Sequence, residues 1–165
     1  MLLPLIAVAC YLFGALGLGF SAYQGDSHHG RGGRISAVGI AAIGVVVHLA
    51  ALVHERRLDP QGALSLGDVL ALVALVIAVT AIVMALRPRL RGMAALLLGI
   101  AAVLEAAFSE GAREFSIGRP GWELAFHVAM ATTAFAFLTI GAVLAIAQVV
   151  VDRRLRSRQP LGWLK

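Results

Sequence analysis

The chain has little charge and a single cysteine, and these two shortages exclude two classes of protein. Charged residues make up 14% of the 165 residues and hydrophobic residues 60%, whereas a soluble domain is about a quarter charged. The one cysteine, Cys10, allows no disulfide within the chain. An ordinary soluble domain and a disulfide-stabilised secreted domain are therefore both excluded.

The sequence also lacks the local motifs of soluble enzymes. It contains no phosphate-binding glycine loop, no Cys-x-x-Cys pair and no nucleophile elbow. Gly14, Gly17 and Gly19 fall inside an apolar segment, where small residues let helices approach closely. We therefore interpret them as packing residues, and we expect neither catalytic residues nor enzymatic activity.

The dominant feature is a series of apolar segments separated by short charged clusters, with a mean hydropathy of +0.89. About 20 apolar residues are needed for a helix to cross a bilayer. The pattern predicts an all-α integral membrane bundle that forms one transmembrane domain over residues 1–165. Ser65 or Asp68 is expected to cap the third helix, and Gln24 to Gly33 to form a polar link. The five helices are predicted at about 2–23, 35–53, 67–86, 93–108 and 122–151.

The net charge of +5 comes from arginines at helix ends, a distribution that indicates contact with lipid headgroups rather than with nucleic acid. The more basic side carries Arg31, Arg34, Arg87, Arg89, Arg91, Arg153, Arg154, Arg156, Arg158 and Lys165. The other side carries Arg56, Arg57, Arg113 and Arg119. The positive-inside rule then predicts that the N-terminus is outside and the C-terminus inside.

Two histidines, His48 and His127, lie inside the predicted second and fifth helices. An ionisable side chain at membrane depth is costly and commonly functional. Each lies about five residues from the outer end of its helix, or ~7 Å deep, and Trp122 anchors the fifth helix at that interface. The topology thus places both imidazoles at one level, which favours a shared haem iron site (haem b) with two histidine ligands.

The neighbouring residues are compatible with two interpretations. Small residues share the faces of both histidines: Ala37, Ala41, Gly44 and Ala51 beside His48, and Ala131 and Ala134 beside His127. Such faces allow close helix packing, and they also leave room for a flat macrocycle. Met130 is a weaker candidate ligand. In the purely structural alternative, each histidine only forms hydrogen bonds within the bundle.

Glu105 is the other costly residue, close to the outer end of the fourth helix. Three roles are open to it: pairing with a histidine, taking part in proton transfer, or snorkelling to the interface, of which snorkelling is favoured. At the same surface, Arg56, Arg57, Arg113 or Arg119 could bind haem propionates, because a guanidinium matches a carboxylate in geometry.

Several segments together resemble the cytochrome c assembly family. They are Ile35 through His48 to Leu52, Ala63 to Leu66 at the start of an apolar helix, and Gly121-Trp122…His127 followed by a long helix that ends in Asp152-Arg153-Arg154. Within that family the chain most resembles the HemX/YpjD-like proteins, relatives of the haem-handling CcsA and CcmC proteins.

This resemblance implies a multi-pass protein of the bacterial inner membrane that binds or passes haem during cytochrome c maturation. Membrane histidines are candidate haem ligands in the family, and by position they correspond to His48 and His127. The implied partners are haem, membrane lipids, other maturation components and a further C-terminal half.

Two departures from the family pattern stand out. The loop from Ser109 to Gly121 has no tryptophan, although the haem-delivery members carry a tryptophan-rich motif there. Family members also continue past the fifth helix, so that this chain resembles an N-terminal part or a short form. Two other functions therefore stay open: a small proton or ion transporter or channel subunit that uses Glu105 and the histidines, and a non-catalytic assembly scaffold.

Overall fold

The computed structural model describes residues 2–24, 28–58, 64–108, 116–117 and 121–156. These residues form five α-helices: α1 (Leu2–Gln24), α2 (His28–Leu58), α3 (Leu66–Ala85), α4 (Arg91–Phe108) and α5 (Trp122–Arg156). A short 3₁₀ turn, Pro88–Leu90, leads into α4. All five helices include a stretch long and apolar enough to span a membrane. The chain is thus an all-helical, multi-pass membrane protein, as the composition predicts.

The predicted helix positions are confirmed, with different ends for α2 and α5. The expected polar link between Gln24 and Gly33 is mostly wrong, because α2 already begins at His28. Its apolar, membrane-compatible stretch is Gly32–His54, so the added turns lie at its polar ends. α5 continues to Arg156, where the ion pair between Asp152 and Arg156 joins successive turns of the helix at 2.9 Å.

The first four helices pack in a ring. α1 packs on α2 and α4, and α3 completes the ring by packing on the same two helices. α5 lies outside this ring, packed mainly on α3 with a smaller contact to α4. The buried apolar centre of the molecule consequently lies among α1 to α4, and most of α5 is exposed.

Small residues bring α1 and α2 together. A Cβ on Gly14 would lie 3.0 Å from the Cβ of Ala41, and one on Gly17 would lie 2.8 Å from the Cβ of Ala37. Helices in lipid gain little from hydrophobic burial, so this close backbone approach supplies dispersion contacts instead. The interpretation of Gly14 and Gly17 as packing residues is confirmed, and these contacts make the two helices antiparallel.

A two-residue antiparallel ladder joins the segments that precede α3 and α5. Leu64–Ser65 (β1) pairs with Ser116–Ile117 (β2). Ser65 also caps α3: its hydroxyl accepts from the backbone N–H of Asp68 at 3.1 Å, and the Asp68 carboxylate accepts from the N–H of Ser65 at 2.9 Å. The predicted cap is confirmed. This is the ladder end of the bundle, where α2 and α4 finish and α1, α3 and α5 begin.

Candidate functional site: a buried tyrosine, histidine and glutamate cluster

Three polar side chains from three helices meet inside the ring near the ladder end. The Tyr11 hydroxyl oxygen lies 3.0 Å from Nδ1 of His48, and Nε2 of His48 lies 3.0 Å from Oε2 of Glu105. Tyr11 and His48 are fully buried, and Glu105 is 5% exposed. Both ring nitrogens of one imidazole therefore face protein groups, in a place that neither lipid nor water reaches freely.

The helix register explains how the cluster forms. The buried positions of α1 are spaced alternately by three and four residues: Ala7, Tyr11, Gly14, Leu18 and Ser21. Those of α2 follow the same spacing: Ala37, Ala41, Gly44, His48 and Ala51. This spacing keeps one stripe of each helix facing its partner, so that Tyr11 and His48 are brought together by the same repeat that packs the small residues.

The phenol and the imidazole can exchange donor and acceptor roles. A tyrosine hydroxyl both donates and accepts, and neutral imidazole has one N–H and one bare nitrogen. Their rings are tilted by 53° with centroids 5.9 Å apart. The direction of this hydrogen bond thus depends on the tautomer of His48.

The approach of His48 to Glu105 is close without being well aligned. Neither His48 Nε2 nor Glu105 Oε2 has a partner with hydrogen-bond geometry among the described residues, despite their 3.0 Å separation. The contact between His48 and Glu105 is therefore a close electrostatic contact that lacks hydrogen-bond geometry. It brings two ionisable groups of opposite type together where desolvation makes an isolated charge costly.

Among the three roles open to Glu105, the structure shows pairing with a histidine. A snorkelling carboxylate reaches the interface, whereas this one is buried against His48. The favoured snorkelling interpretation is therefore wrong. Glu105 lies near the end of α4, as predicted. Its side chain points into the bundle because this face of α4 packs toward α1 and α2.

His127 is not part of this cluster. It lies on α5 outside the ring, and its side chain is exposed, as are those of Met130 (58%), Ala131 and Ala134. Any contact between α2 and α5 is slight, because α5 packs mainly on α3. The two histidines are therefore not neighbours, although the sequence predicts the same depth in the membrane for both.

The residues predicted to bind haem do not fit that group in this arrangement. Both nitrogens of His48 face Tyr11 and Glu105, which leaves neither of them open to an iron atom. The small-residue face of α2 is filled by α1 rather than open: a Cβ on Gly44 would lie 2.9 Å from the Cβ of Cys10. The interpretation of that face as close helix packing agrees with the structure, and a haem b site shared by His48 and His127 stays a prediction that this geometry does not support.

The predicted propionate-binding arginines lie largely outside the described residues. Arg113 and Arg119 are beyond the described ranges, and Arg56 and Arg57 belong to α2 by backbone alone, without described side chains. Within the described part of the chain, no group of three or more His, Cys, Asp or Glu side chains comes together as a metal site would require.

A second buried polar contact lies at the opposite end of the ring. Nη1 of Arg91 donates to the carbonyl oxygen of Ser21 at 3.4 Å, and both residues are buried. Arg91 begins α4, and Ser21 lies near the end of α1. We refer to this end of the bundle as the Arg91 end.

Sequence reasoning missed Tyr11 and the burial of Arg91. The available signal for Tyr11 was its position in the middle of an apolar helix, since a buried tyrosine hydroxyl usually finds a hydrogen-bond partner. Arg91 was grouped with the basic residues of its polar segment, although it follows the same alternating spacing of three and four residues as the buried Ala94, Leu98, Ala101 and Glu105.

No family model, no curated protein and no solved structure matches the chain. The similarity to the cytochrome c assembly family therefore rests on the sequence segments described above alone.

Proposed function

We propose that this chain is a proton-binding membrane protein, of the kind that serves as a small proton transporter or as a subunit of a larger one. The observation that carries the proposal is the position of His48 between Tyr11 and Glu105, 3.0 Å from each and fully buried. Ionisable groups held at membrane depth commonly mark ion or proton sites.

The cluster can exist in two protonation states that differ by one proton. In the deprotonated form Tyr11 donates to Nδ1, and the N–H at Nε2 faces a carboxylate, which leaves one negative charge buried. With one more proton, Nδ1–H donates to the Tyr11 oxygen, and the proton of Nε2 moves to Glu105, whose carboxylic acid then faces the bare Nε2. That form is neutral overall, whereas the first form holds an uncompensated charge in a low dielectric.

Proton uptake therefore has a structural consequence. The Tyr11 hydroxyl changes from donor to acceptor, and the contact between His48 and Glu105 becomes neutral overall. Since the three residues come from α1, α2 and α4, the proton count alters the contacts that hold three helices together. Such coupling between a proton and helix packing is what a proton-driven membrane protein needs.

Infrared difference spectra of the detergent-purified protein at low and high pH test this function. We expect a carboxylic acid band that disappears at high pH, is lost in Glu105→Gln and shifts in His48→Ala. Glu123→Gln, at an exposed position on α5, is the matched control and should keep the band. A spectrum without a titrating carboxyl band, or one unchanged by Glu105→Gln, would overturn the proposal.

Visible absorption of the same samples separates this function from haem handling. If the cluster is a proton site, we expect the purified protein to show no Soret band and to bind no added haemin. A low-spin haem spectrum that is lost in both His48→Ala and His127→Ala would instead support the paired-histidine site and contradict the proton site.

A further inference from the structure

We infer that the cluster exchanges its proton with one side of the membrane only, the side at the ladder end. This inference rests on the proposed function and adds the direction from which the proton arrives. It follows from how polar groups are distributed along the interior of the ring.

The route from the cluster to the ladder end is short. Glu105 lies three residues before Phe108, the last residue of α4, or ~4.5 Å along the helix axis. His48 lies six residues before the exposed His54, about 9 Å along α2. The cluster thus lies within about two turns of the polar ends of both helices.

The opposite route is long and apolar. Glu105 and Arg91 are fourteen residues apart on α4, or about 21 Å. The side chains that fill the described core of the ring over this length are apolar and almost fully buried: Leu18, Ala37, Ala41, Ile77, Leu97, Leu98, Ala101 and Ala102. Such a core offers a proton no donor or acceptor, and water in it would lack polar partners.

The remaining polar groups of the described helices do not bridge this gap. Among the described buried polar side chains, Ser21 and Arg91 lie at the far end, and Thr132 lies on α5 outside the ring. The half-buried Thr80 hydroxyl already donates to the carbonyl of Val76, one turn back on α3. The described interior is thus polar at its two ends and apolar between them.

Five other ionisable side chains lie near the ladder end in the part of the chain that the structure describes. They are Cys10 on α1, the exposed His54 on α2, Asp68 in the cap of α3, and the exposed Glu123 and His127 on α5. Along α4, Glu105 is the only carboxylate. All of these described groups lie on the ladder-end side of the bundle, the side to which the cluster is closer.

Carbodiimide labelling of Glu105 in sealed vesicles tests this inference. A lipid-soluble carbodiimide reacts with a protonated carboxylic acid: the acid proton goes to one nitrogen and the carboxyl oxygen to the central carbon, after which the adduct rearranges to a stable acylurea. Mass spectrometry then measures labelling at Glu105 while the pH inside and outside is set independently. Glu105→Gln identifies the labelled site.

Vesicle orientation is read from a cysteine introduced by Glu123→Cys in a Cys10→Ala background, which a membrane-impermeant thiol reagent labels at the ladder end. We expect labelling of Glu105 to fall about tenfold per pH unit as the ladder-end pH rises above the titration of the cluster. The pH on the Arg91 side should leave it unchanged.

Each contrary outcome identifies a different failure. Labelling that follows the pH on both sides, or on the Arg91 side alone, would overturn one-sided exchange and leave the proton site standing. Labelling that follows neither pH would overturn the proton site itself, and with it this inference.

Discussion

Gly44 on α2 lies directly against the ring of Tyr11 on α1, so closely that a Cβ on this glycine would lie 3.0 Å from both Cδ1 and Cε1 of the ring. The absence of a side chain at Gly44 thus allows Tyr11 to lie between the two helices. One turn further along α2, Nδ1 of His48 lies 3.0 Å from the tyrosine hydroxyl oxygen. Packing and polar contact at this site consequently depend on each other.

Replacing Gly44 with alanine should weaken the bundle and disturb the cluster. The added methyl group meets both Cys10 and Tyr11, and overpacking of this kind costs about 1–3 kcal/mol. Gly39→Ala on the same helix is the matched control, since nothing lies within 4 Å of its Cβ position. Thermal unfolding in detergent should show a lower Tm for Gly44→Ala alone. Equal Tm values would contradict the close packing of α1 on α2.

Removing the hydroxyl of Tyr11 should leave the helix packing intact but leave the buried Nδ1 of His48 without a hydrogen-bond partner. Tyr11→Phe keeps the ring and leaves Nδ1 of His48 without its partner, which costs about 1–3 kcal/mol for a buried polar group. Tyr23→Phe, at a position 78% exposed, should cost little. Chemical unfolding of both variants measures the difference, and a Tyr11→Phe protein as stable as Tyr23→Phe would count against the hydrogen bond.

His48 and Glu105 should be energetically coupled. Each single variant, His48→Ala or Glu105→Ala, leaves the other group buried without its partner, and breaking a buried pair costs about 3–5 kcal/mol. The double variant should therefore lose less stability than the two single losses added together.

A double-mutant cycle measures this coupling, which for residues in contact is about 0.5–3 kcal/mol. The same cycle between His48 and Glu123 is the control, because Glu123 lies exposed on α5. Additive losses at His48 and Glu105 would show that the 3.0 Å approach contributes no interaction.

The cap of α3 gives a prediction independent of the cluster. Ser65→Ala removes the hydroxyl that accepts from the N–H of Asp68, and loss of an N-cap costs about 1 kcal/mol. Ser36→Ala is a suitable control, because the exposed Ser36 hydroxyl only donates to the carbonyl of Gly32 within α2. Hydrogen exchange should speed up at the start of α3 in Ser65→Ala. Unchanged exchange there would contradict the capping box.

The fold could be predicted from the sequence because membrane helices depend on composition and length. The apolar segments with charged ends predicted all five helices, and Ser65 together with Asp68 predicted the start of α3. The start of α2 was missed because its first turns, His28 to Gly33, are polar and rich in glycine.

The site could be predicted only in part, because depth in a membrane says nothing about which helices are neighbours. His48 and Glu105 were identified as costly residues, and both belong to the cluster. His127 satisfied the same depth criterion and lies outside the ring. Tyr11 was overlooked because a tyrosine in an apolar helix carries no formal charge, although its hydroxyl needs a partner once it is buried.

Side-chain nitrogen and carboxyl NMR of the protein labelled at histidine and glutamate tests the central claim most directly. If Tyr11, His48 and Glu105 share one exchangeable proton, the signals of both His48 nitrogens and of the Glu105 carboxyl carbon should change together in a single pH transition. Tyr11→Phe should displace that transition, whereas Tyr23→Phe should leave it in place. Independent transitions of His48 and Glu105, or signals that do not change with pH, would contradict a shared proton site.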